Sequence, residues 1–389
     1  MKGPASPSEA LPSLDDAERL ARARLARTTG VGPVTFRDLL ERFGSGRRAL
    51  DALPELAARG GRKGLKIARE ADIAREEARH AKFGARMLVL GEDAYPPLLA
   101  ETDPPPPILI VKGQLELLTL PTVAIVGSRT ASAAGARLAG DIAAGLGRAG
   151  LTIASGLARG VDAAAHRASL ETGTIAAIAS GIDIAYPPEN ERLQAEIAER
   201  GLLMTEQAPG QAPHAKQFPR RNRLISGLSL AVVVVEAALR SGSLITARFA
   251  LEQGRDVMAV PASPLDPRGR GCNRLIKQGA LLVEEASDIL EALGPGFEPT
   301  RAMREAGFAW SAGPIEPESP GSLETEEAAR RAVIEALSPT PTDIDVLARH
   351  TGLDARTVRA VLLELDLAGR IARDGARRVS LYASGPDDT

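Results

Sequence analysis

Cysteine is almost missing from this chain. It has one, Cys272, among 389 residues. A single thiol makes neither a disulfide framework nor a cysteine-rich zinc site, and a reducing cytoplasm is the expected home. Histidine is scarce too, with four residues and no HExxH pair. No metal site and no bound cofactor are expected. Long apolar runs are absent: none approaches the ~18 residues that span a bilayer. The longest tight run, Ala231 to Val235, suits a buried strand, so no membrane partner is expected. Met1-Lys2-Gly3-Pro4 lacks the apolar core of a secretion signal. Aromatic residues are only 3%, so a base-stacking site would use very few rings. Neither charge dominates, with 48 Lys and Arg against 50 Asp and Glu. That excludes a uniformly basic coat for nucleic acid, though not a local basic site, because binding follows the local field.

What remains is an ordinary globular composition, 44% hydrophobic and 25% charged. At roughly 150 residues per domain, two or three domains are expected. Residues 1–113 are rich in Ala, Arg and Leu at helical spacing, with Leu20, Leu25, Leu39, Leu40 and Phe43 on either side of a Gly-Pro break. The Pro104 to Pro107 tract marks a stiff connector near their end. Residues 114–293 alternate short apolar strands with helical stretches. Residues 294–324 read as a Pro/Gly/Glu/Ser-rich linker, and 325–389 as a third domain.

The middle segment carries the fold class. Strands are expected at Thr122–Val126, Leu151–Ala154, Thr174–Ala179, Leu202–Thr205, Leu230–Val235 and Asp256–Val260. They are continuously apolar, as strands are when helices cover both faces of a parallel sheet. Glycines stand at the strand-to-helix turns. The reading is α/β: an extended Rossmann-like, doubly wound, mostly parallel sheet. Ligands of such sheets bind at the carboxyl ends of the strands, where these turns lie.

Several turns there could hold an anion. Gly127-Ser128-Arg129 is expected to open a helix whose free N–H groups attract phosphate. Ser128 adds a hydroxyl and Arg129 a planar fork; a tight turn with a solvated arginine fits the spacing equally well. Asp162 and His166 are four apart on the next helix, which suits a cap and a packed imidazole more often than an acid/base pair. Lys216 to Arg223 is the sharpest charge feature, with Lys216, Arg220, Arg221 and Arg223, no acid, and one ring, Phe218. Cations that track phosphates beside a ring that stacks on a base are a common way to hold single strands. Ser241-Gly242-Ser243 is a further donor-rich turn on the same edge. Cys272 has no histidine partner and reads as unreactive.

Two flanking patterns also bear on nucleic acid. Thr28-Thr29-Gly30-Val31-Gly32-Pro33 resembles a helix–hairpin–helix turn, and a simple helical turn fits it equally well. Thr342 to Tyr382 reads as a winged helix with a core stripe of Val358, Val361, Leu362 and Leu365. Arg356, Thr357 and Arg359 would approach a major groove. Acids balance the bases there, so a protein contact fits as well as DNA.

From Val123 to Leu290 the chain resembles the DNA-processing protein A family. The motifs that carry the resemblance are Ala124 to Arg129, Ser155 to Asp162, Phe218 to Ser229 and Ser241 to Ala247, followed by Gly271-Cys272-Asn273 and Leu275-Ile276-Lys277. The flanks fit the family's helical SAM-like N-terminal domain and winged-helix-like C-terminal domain. The resemblance implies a cytoplasmic, non-enzymatic protein of natural transformation. Such a protein binds and protects incoming single-stranded DNA and loads RecA recombinase onto it. It dimerises through the Rossmann-like domain, on a surface that overlaps the RecA contact. Leu244–Gln253 and Asp256–Val260 are the candidate contact elements. The implied DNA site uses Gly127, Ser128 and Arg129, then Lys216 (one residue out of the family's spacing), Phe218, Arg221, Asn222 and Arg223, then Ser241 and Gly242.

Two alternatives belong to other classes. A Rossmann-like nucleotide phosphoribohydrolase would use Asp162, His166 and Glu236, although that group's Pro-Gly-Gly-x-Gly-Thr turn is missing. A winged-helix transcription regulator would bind duplex DNA by sequence.

Overall fold

The computed structural model describes residues 14–61, 64–294 and 323–382. The first helices are α1 (Asp16–Arg27), α2 (Pro33–Phe43) and α3 (Gly46–Arg59). Asp15 caps α1 by accepting from the Glu18 amide, and Ser45 caps α3 by accepting from the Arg48 amide. Phe36, Leu39, Leu40 and Leu53 are buried among them. Helix α4 (Glu70–Ala81) follows.

The sheet begins earlier than the sequence reading places it. Strand β1 (Arg86–Val89) and, beyond the short α5 (Pro97–Ala100), β2 (Ile108–Gly113) pair antiparallel with each other, and β2 pairs antiparallel with β6 (Leu202–Thr205). The boundary expected at residue 113 therefore falls at the end of a sheet strand. Local pattern could not show this, because the partner of β2 lies about ninety positions along the chain.

The rest alternates strand and helix: β3 (Thr122–Gly127), α6 (Ala133–Arg148), β4 (Thr152–Ser155), α7 (Val161–Ser169), β5 (Thr174–Ala177) and α8 (Glu191–Arg200) lead to β6. Next come α9 (Gln217–Gly227), β7 (Ala231–Val235), α10 (Ser243–Glu252), β8 (Asp256–Ala259), α11 (Arg270–Lys277), β9 (Leu281–Leu282) and α12 (Ala286–Leu293). The strand order is β1-β2-β6-β5-β4-β3-β7-β8-β9, parallel from β6 to β9. The winding reverses between β3 and β7. This is the expected mostly parallel, doubly wound sheet. Val123, Ile125, Ile153 and Val233 of the strands pack with Ile142 and Leu146 of α6, Val161 of α7 and Ile289 of α12. Strands buried on both faces are the reason the sequence reads as unbroken apolar runs.

The C-terminal winged helix comprises α13 (Leu323–Ala336), β10 (Thr342–Asp343), α14 (Ile344–Thr351), α15 (Ala355–Leu367), β11 (Ile371–Asp374) and β12 (Arg378–Leu381). Its three strands pair in the order β10-β12-β11. Contacts divide the chain into two compact units. One holds 74–102 and 108–294, and the other holds 14–73, 103–107 and the winged helix. The expected linker lies, but for its ends, outside the described residues.

Candidate nucleic-acid interface

The loops at the carboxyl ends of β3, β4 and β5 build one site with the first turn of α9. The loop after β4 closes on the loop after β3. Its Gly160 has φ +74°, and a Cβ there would stand 2.2 Å from the Ser128 carbonyl oxygen. Only glycine allows that approach. The Val161 amide then donates to the Ser128 oxygen at 3.2 Å. Asp162, in the first turn of α7, accepts from the Gly156 and Ala158 amides at 3.1 and 3.3 Å. The turn so fixed leaves Arg129 exposed.

Arg129 and Phe218 meet across a pocket of about 220 Å³. The Arg129 guanidinium carbon stands 5.3 Å from the Phe218 ring centroid, within cation–π range. The Tyr186 ring lies against Phe218 with centroids 5.6 Å apart and planes 51° apart, a tilted aromatic pair. Arg159 and Glu189, both half exposed, form an ion pair at 3.1 Å on the pocket wall. Two free-facing rings and a free-facing guanidinium share one concavity. The sequence reading paired Arg129 with Phe218 and missed Tyr186. The available signal was one of only three tyrosines, standing just before Pro187-Pro188.

Arg221 forms the floor and is a correction. The resemblance places it among the DNA contacts, but it is buried. Its guanidinium donates to the Gly156 and Ala177 carbonyl oxygens. Burial lowers its pKa to about 10, with the Asp162 charge opposing the shift. Burial likewise raises the Asp162 carboxyl, against the pull of Arg221 and the two amides. The cation is built into the sheet end and does not face solvent.

The helix terminus expected at Gly127 is also corrected. Helix α6 begins at Ala133, and its N-terminal cap holds a carboxylate already. Glu236 accepts from the Ser132 amide at 2.8 Å and from the Ser132 hydroxyl. An anion is stabilised there as the helix dipole requires, but it belongs to the protein. Gly127 and Ser128 thus shape the loop that carries Arg129, and Ser128 Oγ accepts from the Thr130 amide at 3.2 Å.

The other expected contacts divide. Lys216 is exposed at the start of α9, outside the pocket lining. Arg223 is paired with Glu206 and largely buried, so it too is taken by the fold. Asn222 is tied to the next turn, where its side-chain amide donates to the Gly242 oxygen at 3.3 Å. The Ser241 and Ser243 hydroxyls bond each other at 2.7 Å, and Ser241 and Gly242 lie outside the pocket lining.

The residues a hydrolytic reading needs are engaged in the same way. Asp162 holds a turn and Glu236 caps a helix. His166 is fully buried, with Nδ1 2.7 Å from Thr174 Oγ1. Burial, reinforced by the Arg221 and Arg167 cations, lowers its pKa to about 3. The unfolded imidazole takes a proton near pH 6.5, which the folded one refuses down to about 3. Its contribution to stability is complete above pH 6.5 and is lost as pH falls through that window. Urea unfolding across the window should show the wild type losing up to about 1.4 kcal/mol per pH unit more than His166→Asn. Equal slopes in the two proteins would refute a neutral, buried His166.

Residues 86–294 match the family model for DNA recombination-mediator protein A. The match begins on the first residue of β1 and covers more than half of the chain. This chain belongs to the DNA recombination-mediator protein A family. Residues 16–78 match the DprA-like N-terminal HHH domain, and 317–376 the DprA winged helix domain. Among family members, DNA processing protein DprA of Streptococcus pneumoniae is 48% identical over 201 residues, covering 51% of this chain and 71% of that one. Protein Smf of Synechocystis is 33% identical over 388 residues, covering 91% and 96%. The crystal structure of DprA from Streptococcus pneumoniae aligns with a TM-score of 0.57 at 36% identity, over 71% of this chain and 96% of that one. A structure of DNA processing protein A from Helicobacter pylori, described for its single-stranded DNA binding mode, aligns with a TM-score of 0.50 at 29% identity, over 54% and 95%.

Proposed function

We propose that this protein binds single-stranded DNA in the Arg129–Phe218 pocket, protects incoming strands during transformation, and presents them to RecA recombinase. It does so as a cytoplasmic binding protein with no catalytic step. The observation that carries the reading is the exposed Arg129 guanidinium stacked over Phe218 beside Tyr186. A cation next to two rings matches a phosphate followed by an unstacked base. Duplex DNA keeps its bases stacked and offers none to the rings, so single strands are favoured. No helix among the described residues is long and apolar enough to cross a membrane.

The site set proposed for DNA is Arg129 and Phe218, with Tyr186 added. Lys216 and Asn222 extend a track along the start of α9. A homodimer through the Rossmann-like domain is part of the same proposal. Strand β8 is paired on both sides, so the open edge on that side of the sheet is β9, where Leu281 and Leu282 are half exposed beside Leu251. An apolar open edge is a pairing surface.

Fluorescence anisotropy with oligo(dT) and with duplex DNA of equal length, across a salt series, tests the proposal. Oligo(dT) should bind more tightly, with affinity falling as salt rises. Phe218→Ala should lose ~1–3 kcal/mol per stacked base with an unchanged salt slope. Equal affinity for single strand and duplex would remove the proposal.

A further inference from the structure

Helix α15, the third helix of the winged helix, buries two faces. Val358, Val361, Leu362 and Leu365 point into the domain's own core. Leu363 and Leu367 are also buried, yet they stand outside that core. They lie on the side that enters a DNA groove when such a helix reads duplex DNA. Here that side packs across α2 and α3.

Two polar contacts across the interface, a third that orients Arg373, and one backbone approach fix the packing. Thr35 of α2 donates its hydroxyl to Asp366 at 2.7 Å. Arg373 of β11 donates to Asp366 at 2.8 Å and to Asp38 of α2 at 3.2 Å. The Asp38, Asp366 and Arg373 side chains are only 14%, 16% and 12% exposed. At the end of α3, Gly60 lies so close that a Cβ would stand 2.1 Å from the Glu364 carbonyl oxygen and 2.9 Å from Ala368 Cβ. The covered face thus carries two leucines and one carboxylate, Asp366, while the Glu364 carboxylate turns to Arg330 of α13 within the winged helix. Leucines have no use for a phosphate backbone and carboxylates repel it. The α2 surface matches the covered face, with the Thr35 hydroxyl for Asp366 and the Asp38 carboxylate for Arg373.

We propose that the winged helix is an intramolecular clasp: the outward face of α15 is a protein-docking surface whose partner is the α2–α3 pair of the same chain, and it does not read duplex DNA. The helix–hairpin turn stays open beside the clasp, with Gly30 and Gly32 exposed.

Asp38→Ala and Gly60→Leu change only the N-terminal side and leave α15 intact, so they test the clasp in the full chain. Gly60 has helical φ and ψ, so leucine there is opposed by the docked helix and not by its own backbone. Hydrogen exchange should quicken about tenfold or more at residues 363–367 and 57–61 together, in both variants. Duplex affinity should stay within about twofold of wild type, with or without Arg356→Ala and Arg359→Ala. Three results overturn the proposal. In the first, residues 363–367 keep wild-type protection in both variants. In the second, duplex binding rises about tenfold and Arg356→Ala with Arg359→Ala abolishes the gain, which makes α15 a covered DNA reader. In the third, wild-type protection at 363–367 grows with protein concentration, which makes the occupant a second copy.

Discussion

Arg221→Ala is expected to destabilise the Rossmann-like unit by about 2–4 kcal/mol, because two buried carbonyl oxygens lose a charged donor. Three groups lose their partner together. The Gly156 and Ala177 carbonyl oxygens lose a buried donor, and Asp162 loses the cation that opposes its burial. At roughly 2–4 °C per kcal/mol for a domain of this size, the melting temperature should fall by about 10 °C. Arg221→Ala combined with Asp162→Asn should cost less than the sum of the two, because both act on one buried charge balance. Calorimetry of the four proteins decides it. If Arg221→Ala melts like wild type, the guanidinium is not part of the floor, and its expected place among the DNA contacts would stand again.

Arg129→Ala carries the opposite signature: little change in stability and a large loss of binding. Arg129 is exposed, lacks a carboxylate partner within ion-pair distance among the described residues, and touches the Phe218 ring from outside. Removing one charge-assisted contact to phosphate should weaken oligo(dT) binding roughly ten- to a hundredfold. It should also flatten the dependence of log K on log[salt] by about 0.7, the value for one phosphate on a single strand. Phe218→Ala leaves that slope alone, so the two variants separate the phosphate contribution from the stacking one. Wild-type affinity for Arg129→Ala would place the DNA elsewhere on the molecule.

The contrast between these two arginines shows how far the sequence could be read. Arg129 ends a Gly-Ser-Arg turn and Arg221 sits in a basic cluster, each was expected to meet phosphate, and nothing in their neighbours tells them apart. Arg221 is buried because its turn of α9 lies over the ends of β4 and β5, contacts 65 and 44 positions away in sequence. The same limit hid Tyr186, whose meaning depends on meeting Phe218. The mistaken phosphate site at α6 has a similar origin. The capping carboxylate comes from Glu236, 104 positions distant, and no local pattern announces it.

By itself the sequence determined the alternating elements, the parallel sheet and the sheet edge at which Arg129 and Phe218 meet. Those follow from local periodicity and from strands apolar on both faces, such as Ala231 to Val235, and such signals are complete within a few residues. The ordered motifs from Ala124 to Ala247 pointed to the right family for the same reason. Only the tertiary structure decided which cations face solvent, that β1 and β2 extend the sheet, and that α15 turns its outward face onto α2 and α3. Burial and pairing are set by neighbours brought from far along the chain, and the desolvation that turns one arginine into a floor and leaves another free exists only once those neighbours have met.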